Sequence, residues 1–283
     1  MEIFLSHGDL LLLFFAVALL YSSVGFGGGS SYLAILALYS FNFTFLRAIA
    51  LLCNITVVTN GTWQYYRHKL FDFRRTLPLV LASVPMAYLG GMVKLEARTF
   101  FVVLGITLFL AAIAVWFRPN IGGKEQGTRN MDLSNLSFPL GGRRRSNSLP
   151  TGEGRGWRRS EGILLSLLLG STIGFISGMV GIGGGIFLSP LLYLINWDEP
   201  KRISAVASLF ILVNSISGLL GQFQTGIPDF DWQLSAGLMV SVGLGGFVGN
   251  YLGIVRFKPI IVRRATAILI AYVSIQLLVK YLF

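Results

Sequence analysis

Six runs of about 20 apolar residues, at approximately 45–66, 76–93, 98–117, 202–222, 232–254 and 260–282, leave this chain few ways to fold in water. Two further pairs of runs are shorter, 9–24 with 30–40 and 161–179 with 185–197, and each pair is split by a glycine cluster. Of the 283 residues 54% are hydrophobic and only 12% are charged, against about 25% charged in an ordinary soluble domain. With a mean hydropathy of +0.70, that apolar surface exceeds what a water-soluble particle of this size can hide. The sequence therefore describes an integral membrane protein. A cytosolic enzyme, a secreted disulfide scaffold and a disordered chain are excluded as descriptions of the whole. The single Cys53 has no intrachain partner and reads as a small buried hydrophobe. The early run Leu10 to Tyr21 lacks the positive flank and small-residue cleavage site of a signal peptide, with Glu2 and Asp9 beside it instead, and is expected to remain as structure.

The net charge of +11 is concentrated in one place. Residues 118–160 hold nine basic residues (Arg118, Lys124, Arg129, Arg143, Arg144, Arg145, Arg155, Arg158, Arg159) and three acids (Glu125, Asp132, Glu153), so this stretch alone carries +6. It is rich in Gly, Ser and Asn, contains Pro119, Pro139 and Pro150, and has no helical or strand period. We expect a disordered, solvated linker joining a first transmembrane repeat, 1–117, to a second, 161–283. At a membrane surface such a segment orients the chain and touches anionic lipid headgroups; no nucleic-acid partner is expected.

The two halves repeat. Gly25-Phe26-Gly27-Gly28-Gly29 recurs as Gly181-Ile182-Gly183-Gly184-Gly185, 156 residues later, each copy ending one apolar segment and opening another. Arg47 and Arg202 each begin a long apolar span, and Phe71-Asp72-Phe73 has a counterpart in Phe230-Asp231-Trp232. The basic loops 66–76 and 255–264 and the linker are expected on the cytoplasmic side, and the loop 223–231, with Asp229 and Asp231 and no Lys or Arg, on the other. An odd number of crossings per unit makes the units inverted, whether each short pair crosses twice or re-enters. The expected fold is all-α: a polytopic protein of two inverted five-segment repeats with Gly-interrupted short helices, an architecture of transporters.

Non-helical backbone at membrane depth is tolerated only inside protein or beside a polar cavity, so the two clusters are expected to break their helices at a site. The second half-helices, starting near Ser30 and Ile186, then present free N–H groups and the positive end of a helix dipole to an anion. The candidate binding residues are Gly27, Gly28, Gly29 and Ser30 in the first copy and Gly183, Gly184 and Gly185 in the second. Asn60, Ser208 and Asn214 join them as neutral donors within the apolar spans. The competing reading of the glycines is close helix packing, since Gly25/Gly29, Gly181/Gly185, Gly174/Gly178 and Gly245/Gly249 all have GxxxG spacing. The competing reading of Asn54, Thr56, Thr59, Asn60, Ser204, Ser208, Asn214, Ser215 and Ser217 is interhelical hydrogen bonding. Neither cluster continues into a nucleotide-binding loop. No Asp, Glu, Lys or His sits mid-span, which leaves no residue for proton coupling through a buried acid. Arg47 and Arg202 either draw an anion toward the path or snorkel at helix ends. No metal or cofactor is expected.

The segments Gly25-Phe26-Gly27-Gly28-Gly29-Ser30 and Gly178-Met179-Val180-Gly181-Ile182-Gly183-Gly184-Gly185-Ile186, with Pro190 after the second, resemble the paired motifs of the TauE/SafE sulfite exporter family over nearly the whole chain except the linker. In the first copy Ser30-Ser31-Tyr32 replaces the usual aliphatic continuation. The resemblance implies a secondary transporter that moves sulfite, organosulfonates or related small sulfur-containing anions across the cytoplasmic membrane. A membrane-embedded enzyme or accessory subunit of sulfur metabolism, or an anion channel, is the alternative, although no catalytic constellation is visible.

Overall fold

The computed structural model describes residues 2–116 and 159–255, apart from 24, 25, 40, 95, 196, 199 and 227–230, together with scattered positions between 268 and 281. Linker residues 118–158, Asp229 and most of the expected last span at 260–282 lie outside the described residues, while Arg159 and Ser160, expected in the linker, open a helix. Among the described residues every element is a helix: α1 Glu2–Ser22, α2 Gly29–Leu38, α3 Phe43–Arg67, α4 Phe73–Met92, α5 Ala97–Trp116, α6 Arg159–Val180, α7 Gly185–Leu194, α8 Pro200–Gln224 and α9 Trp232–Val255. Four contain stretches long and apolar enough to cross a bilayer: Thr44–Arg67, Ile163–Val180, Arg202–Gln224 and Trp232–Asn250. This is a multi-pass membrane protein. Large apolar side chains facing outward, such as Leu81, Leu164, Leu168, Val240 and Phe247, are then lipid contacts.

The glycine clusters divide long helices from short ones, where the sequence had suggested two short segments each. α1 and α6 have 21 and 22 residues, whereas α2 and α7 have 10 each, about 15 Å and half the hydrocarbon thickness. α2 folds back on α1: Tyr21 Oη lies 2.8 Å from Ser31 Oγ, the Phe14 and Tyr32 rings stack at 4.8 Å, and the Tyr39 hydroxyl donates to Asp9. Falling numbers on α1 meet rising numbers on α2, so the pair is a hairpin.

The repeat extends to single hydrogen bonds. Phe26 N–H donates to Tyr21 O and Ile182 N–H to Ser177 O, and the carbonyls of Gly28 and Gly184 each accept from the residues three and four further on. Asp72 caps α4 through Arg74 N–H, and Asp231 caps α9 through Gln233 and Leu234 N–H. Helix pairing obeys the same exchange. α6 lies along α4 through Gly170, Gly174 and Gly178, each so close to a carbonyl of Leu79, Ser83 or Ala87 that a Cβ would collide. Gly245 and Gly249 of α9 meet Phe15 and Leu19 of α1 in the same way. In both pairs the numbers rise together, so the helices are parallel. α3 and α8 run oppositely: Gln222 Nε2 donates to Thr44 O at 2.8 Å, while Ser208 Oγ meets Thr62 Oγ1 at 2.9 Å at the other end. Lipid supplies little hydrophobic drive between helices, so close backbone approach of this kind is what holds them.

Candidate functional site

Each half-helix begins at a left-handed glycine. Gly28 has φ +83° and Gly184 φ +81°, with Gly181 and Gly183 also positive, so the second cluster is bent more heavily than the described part of the first. L-residues reach this region at about 1–2 kcal/mol, which glycine does not pay. The helices start at Gly29 and Gly185, one residue before the sequence-based expectation. Gly27 and Gly29 abut Asn54, the twelfth of the 25 residues of α3, and Gly183 and Gly185 abut Ile211, the twelfth of the 25 of α8. Both N-termini therefore lie at mid-height of long spanning helices, with their first N–H groups lacking intrahelical partners.

Between them is a cavity of about 10 Å³, lined by Tyr21, Phe26, Gly27, Gly28, Gly29, Ser30, Ile182, Ile186 and Ile211. That is room for one water and not for an oxyanion. Its polar wall comes from the first half and its apolar wall, three isoleucines, from the second. Gly27, Gly28, Gly29 and Ser30 thus line the space directly. Gly183, Gly184 and Gly185 stand just behind it, packed on Ser215 and Ile211, on Phe210 and Ser177, and on Ile211 respectively.

Four buried polar atoms around the breaks have no hydrogen-bond partner: Tyr32 Oη and Asn54 Oδ1 near the first, Ser177 Oγ and Ser215 Oγ near the second. Leaving such a group unpaired costs about 1–3 kcal/mol, so two of them beside each break mark places built for polar company. Asn54 Nδ2 donates to Ile182 O at 2.9 Å.

The other three candidates do not line this cavity. Asn60 is half-buried and accepts from Gln64 Nε2 at 3.3 Å, one turn along its own helix. Ser208 joins Thr62 and the Val58 carbonyl, close to Gly61. Asn214 is fully buried on α8 with neither amide atom paired. Tyr21 and the three isoleucines, conversely, were not distinguishable in sequence from ordinary span residues. Asn54 was visible as a polar residue in α3, but nothing in the sequence set it above Thr56 or Asn60. Thr56 and Thr59 hydroxyls return to their own helix, at the carbonyls of Leu52 and Ile55.

Arg47 does not snorkel. It is 4% exposed, and its guanidinium donates to Gly91 O, Val93 O and Gly178 O at 3.2–3.4 Å. These carbonyls belong to the C-terminal ends of α4 and α6, where intrahelical donors run out and the dipole is negative. Arg202 differs: it is 43% exposed in its side chain and pairs with Asp198 at 3.8 Å. Among the described residues no cluster of His, Cys, Asp and Glu offers a metal site.

The family model described as Sulfite exporter TauE/SafE matches residues 10–277. A probable membrane transporter protein, y4hK, from Sinorhizobium fredii is 29% identical over 243 residues, covering 85% of each chain. Another, YjnA from Bacillus subtilis, is 24% identical over 253 residues, covering 86% of this chain and 88% of its own. A third, YunE from the same bacterium, is 22% identical over 205 residues, covering 71% of this chain and 68% of its own. No solved structure matches.

Proposed function

The chain belongs to the sulfite exporter TauE/SafE family and is a membrane transporter rather than an enzyme, and on that premise we propose that it moves small sulfur-containing anions, sulfite or organosulfonates, across the cytoplasmic membrane by alternating access. What most directly supports the reading is the pair of half-helix N-termini at Gly29 and Gly185, meeting mid-height helix positions on either side of one small cavity, with unpaired buried polar atoms beside each break. Such termini attract anions without a full positive charge, which suits a substrate that must also leave. The antiparallel course of α3 and α8 favours inverted repeats, since these are equivalent helices of the two halves. With the expected span at 260–282 as the last, three crossings per unit after a re-entrant hairpin keep the crossing number odd, and charge then assigns the basic loops and linker to the cytoplasm. A cavity sized for one water is closed to an oxyanion until one half moves. A freely conducting anion channel is disfavoured by the same closure.

The test is uptake of labelled sulfite into proteoliposomes, with taurine, sulfoacetate, sulfate and chloride as competitors, with and without a pH gradient. Saturable uptake competed by sulfur oxyanions is the expected result; flux that neither saturates nor shows counterflow favours a channel, and no flux above empty liposomes refutes transport of these anions. Gly28→Leu and Gly184→Leu, each forcing a side chain onto a left-handed backbone, are expected to abolish uptake while the protein remains folded in detergent. Retained uptake in either would reduce that break to a packing device.

A further inference from the structure

The two breaks are equivalent in backbone and unlike in chemistry. Asn54 packs against Gly27 and Gly29, and Ile211 packs against Gly183 and Gly185, the positions 156 residues further on. One turn away the correspondence continues with polarity exchanged, Val58 touching Gly27 and Ser215 touching Gly183. The same place thus holds an amide in the first half and an aliphatic side chain in the second.

Asn54 also reaches across the site. Its Nδ2 bond to Ile182 O, at 2.9 Å, is the one side-chain hydrogen bond made to the backbone of residues 181–185 among the described residues. The side chain is 0% exposed, and its Oδ1 has no partner. Turning this amide therefore breaks one hydrogen bond and no more.

We propose that Asn54 is a latch that contacts the substrate: its N–H holds the two breaks together through the Ile182 carbonyl when the site is empty, and donates to an oxygen of the oxyanion when the site opens. This deepens the transport reading above and rests on it. The exchange conserves the number of hydrogen bonds and replaces a neutral acceptor by a charged one, which binds more strongly. Substrate then contributes the preference for the open state that opening requires, since a ligand shifts a conformational equilibrium only through its differential affinity.

The experiment measures half-saturation for labelled sulfite in proteoliposomes for the wild type, Asn54→Ala, Asn54→Leu and Asn54→Ser. Ala and Leu have no donor; Ser, close to Ala in size, keeps one. Ala and Leu are expected to raise half-saturation about fivefold or more, the difference between a hydrogen bond to a charged and to a neutral acceptor, with Ser within about twofold of wild type. Equal shifts in Ala and Ser, or lower maximal flux with unchanged half-saturation, overturn the latch in favour of a structural role. Failure of all three to fold overturns it as well. A wild type without flux overturns the transport reading and the latch with it; a wild type with flux and unshifted variants overturns the latch alone.

Discussion

A cation buried among carbonyls gains by ending helices as well as by meeting anions, and Arg47 is placed to do the former. Its guanidinium serves the last turns of α4 and α6, one from each side of the linker, while its Cα, Cβ and Cγ lie 3.6 Å from where a Cβ on Gly181 would be. Arg47→Met is expected to lower stability in detergent by at least about 2 kcal/mol, because it strands buried carbonyls that a charged donor satisfied. Arg202→Met removes a half-exposed pair, and such pairs contribute about 0–1 kcal/mol. Denaturation midpoints of the two variants check the contrast. The sequence treated these arginines alike because both begin an apolar span. What separates them is whether helix ends from elsewhere arrive beside the side chain, and that is a property of tertiary packing. Asn54 was obscured for the same reason: its meaning lies in Gly27, Gly29 and Ile182, none of them near it in the chain.

Among elements, the glycines sort by what they touch. Gly178 faces the Ala87 carbonyl across α4 and α6, while Gly8 in α1 has open space, with no atom within 4 Å of the place a methyl group would take. Gly178→Ala is expected to destabilise by about 1–3 kcal/mol through overpacking, and Gly8→Ala to stabilise by about 0.5–1 kcal/mol through helix propensity. Thermal unfolding in detergent distinguishes the signs. The spacing of Gly174/Gly178 and Gly245/Gly249 announced close packing in the sequence, and the matching neighbours of Asp72 and Asp231 announced their correspondence but not that both cap helices. The start of each half-helix was legible to one residue, since three consecutive glycines cannot continue a helix cheaply. The return of α2 along α1 was not, because hydropathy carries no sign of direction: a hairpin and two crossings present the same apolar residues in the same order.

For the molecule as a whole, sidedness is the exposed prediction. The native chain is a suitable background because its single Cys53 is fully buried. A thiol introduced beside Asp229 is expected to react with an impermeant reagent from outside, and one beside Arg144 only from inside; the opposite pattern would invert the assigned orientation. The helical class was legible from apolar runs, and the kinship of the two glycine breaks from one repeated motif. The chemical difference between halves was not, since it depends on which side chain of a long helix meets each break. That difference sits at the cavity between the breaks, where a space for one water lies against Ile182, Ile186 and Ile211. A bilayer that stores energy as an ion gradient loses it through any continuous file of water. On the transport reading proposed above, three branched hydrocarbons beside a gap one water wide interrupt such a file where the two breaks meet, so that carrying an anion and keeping the membrane charged become compatible tasks for one protein.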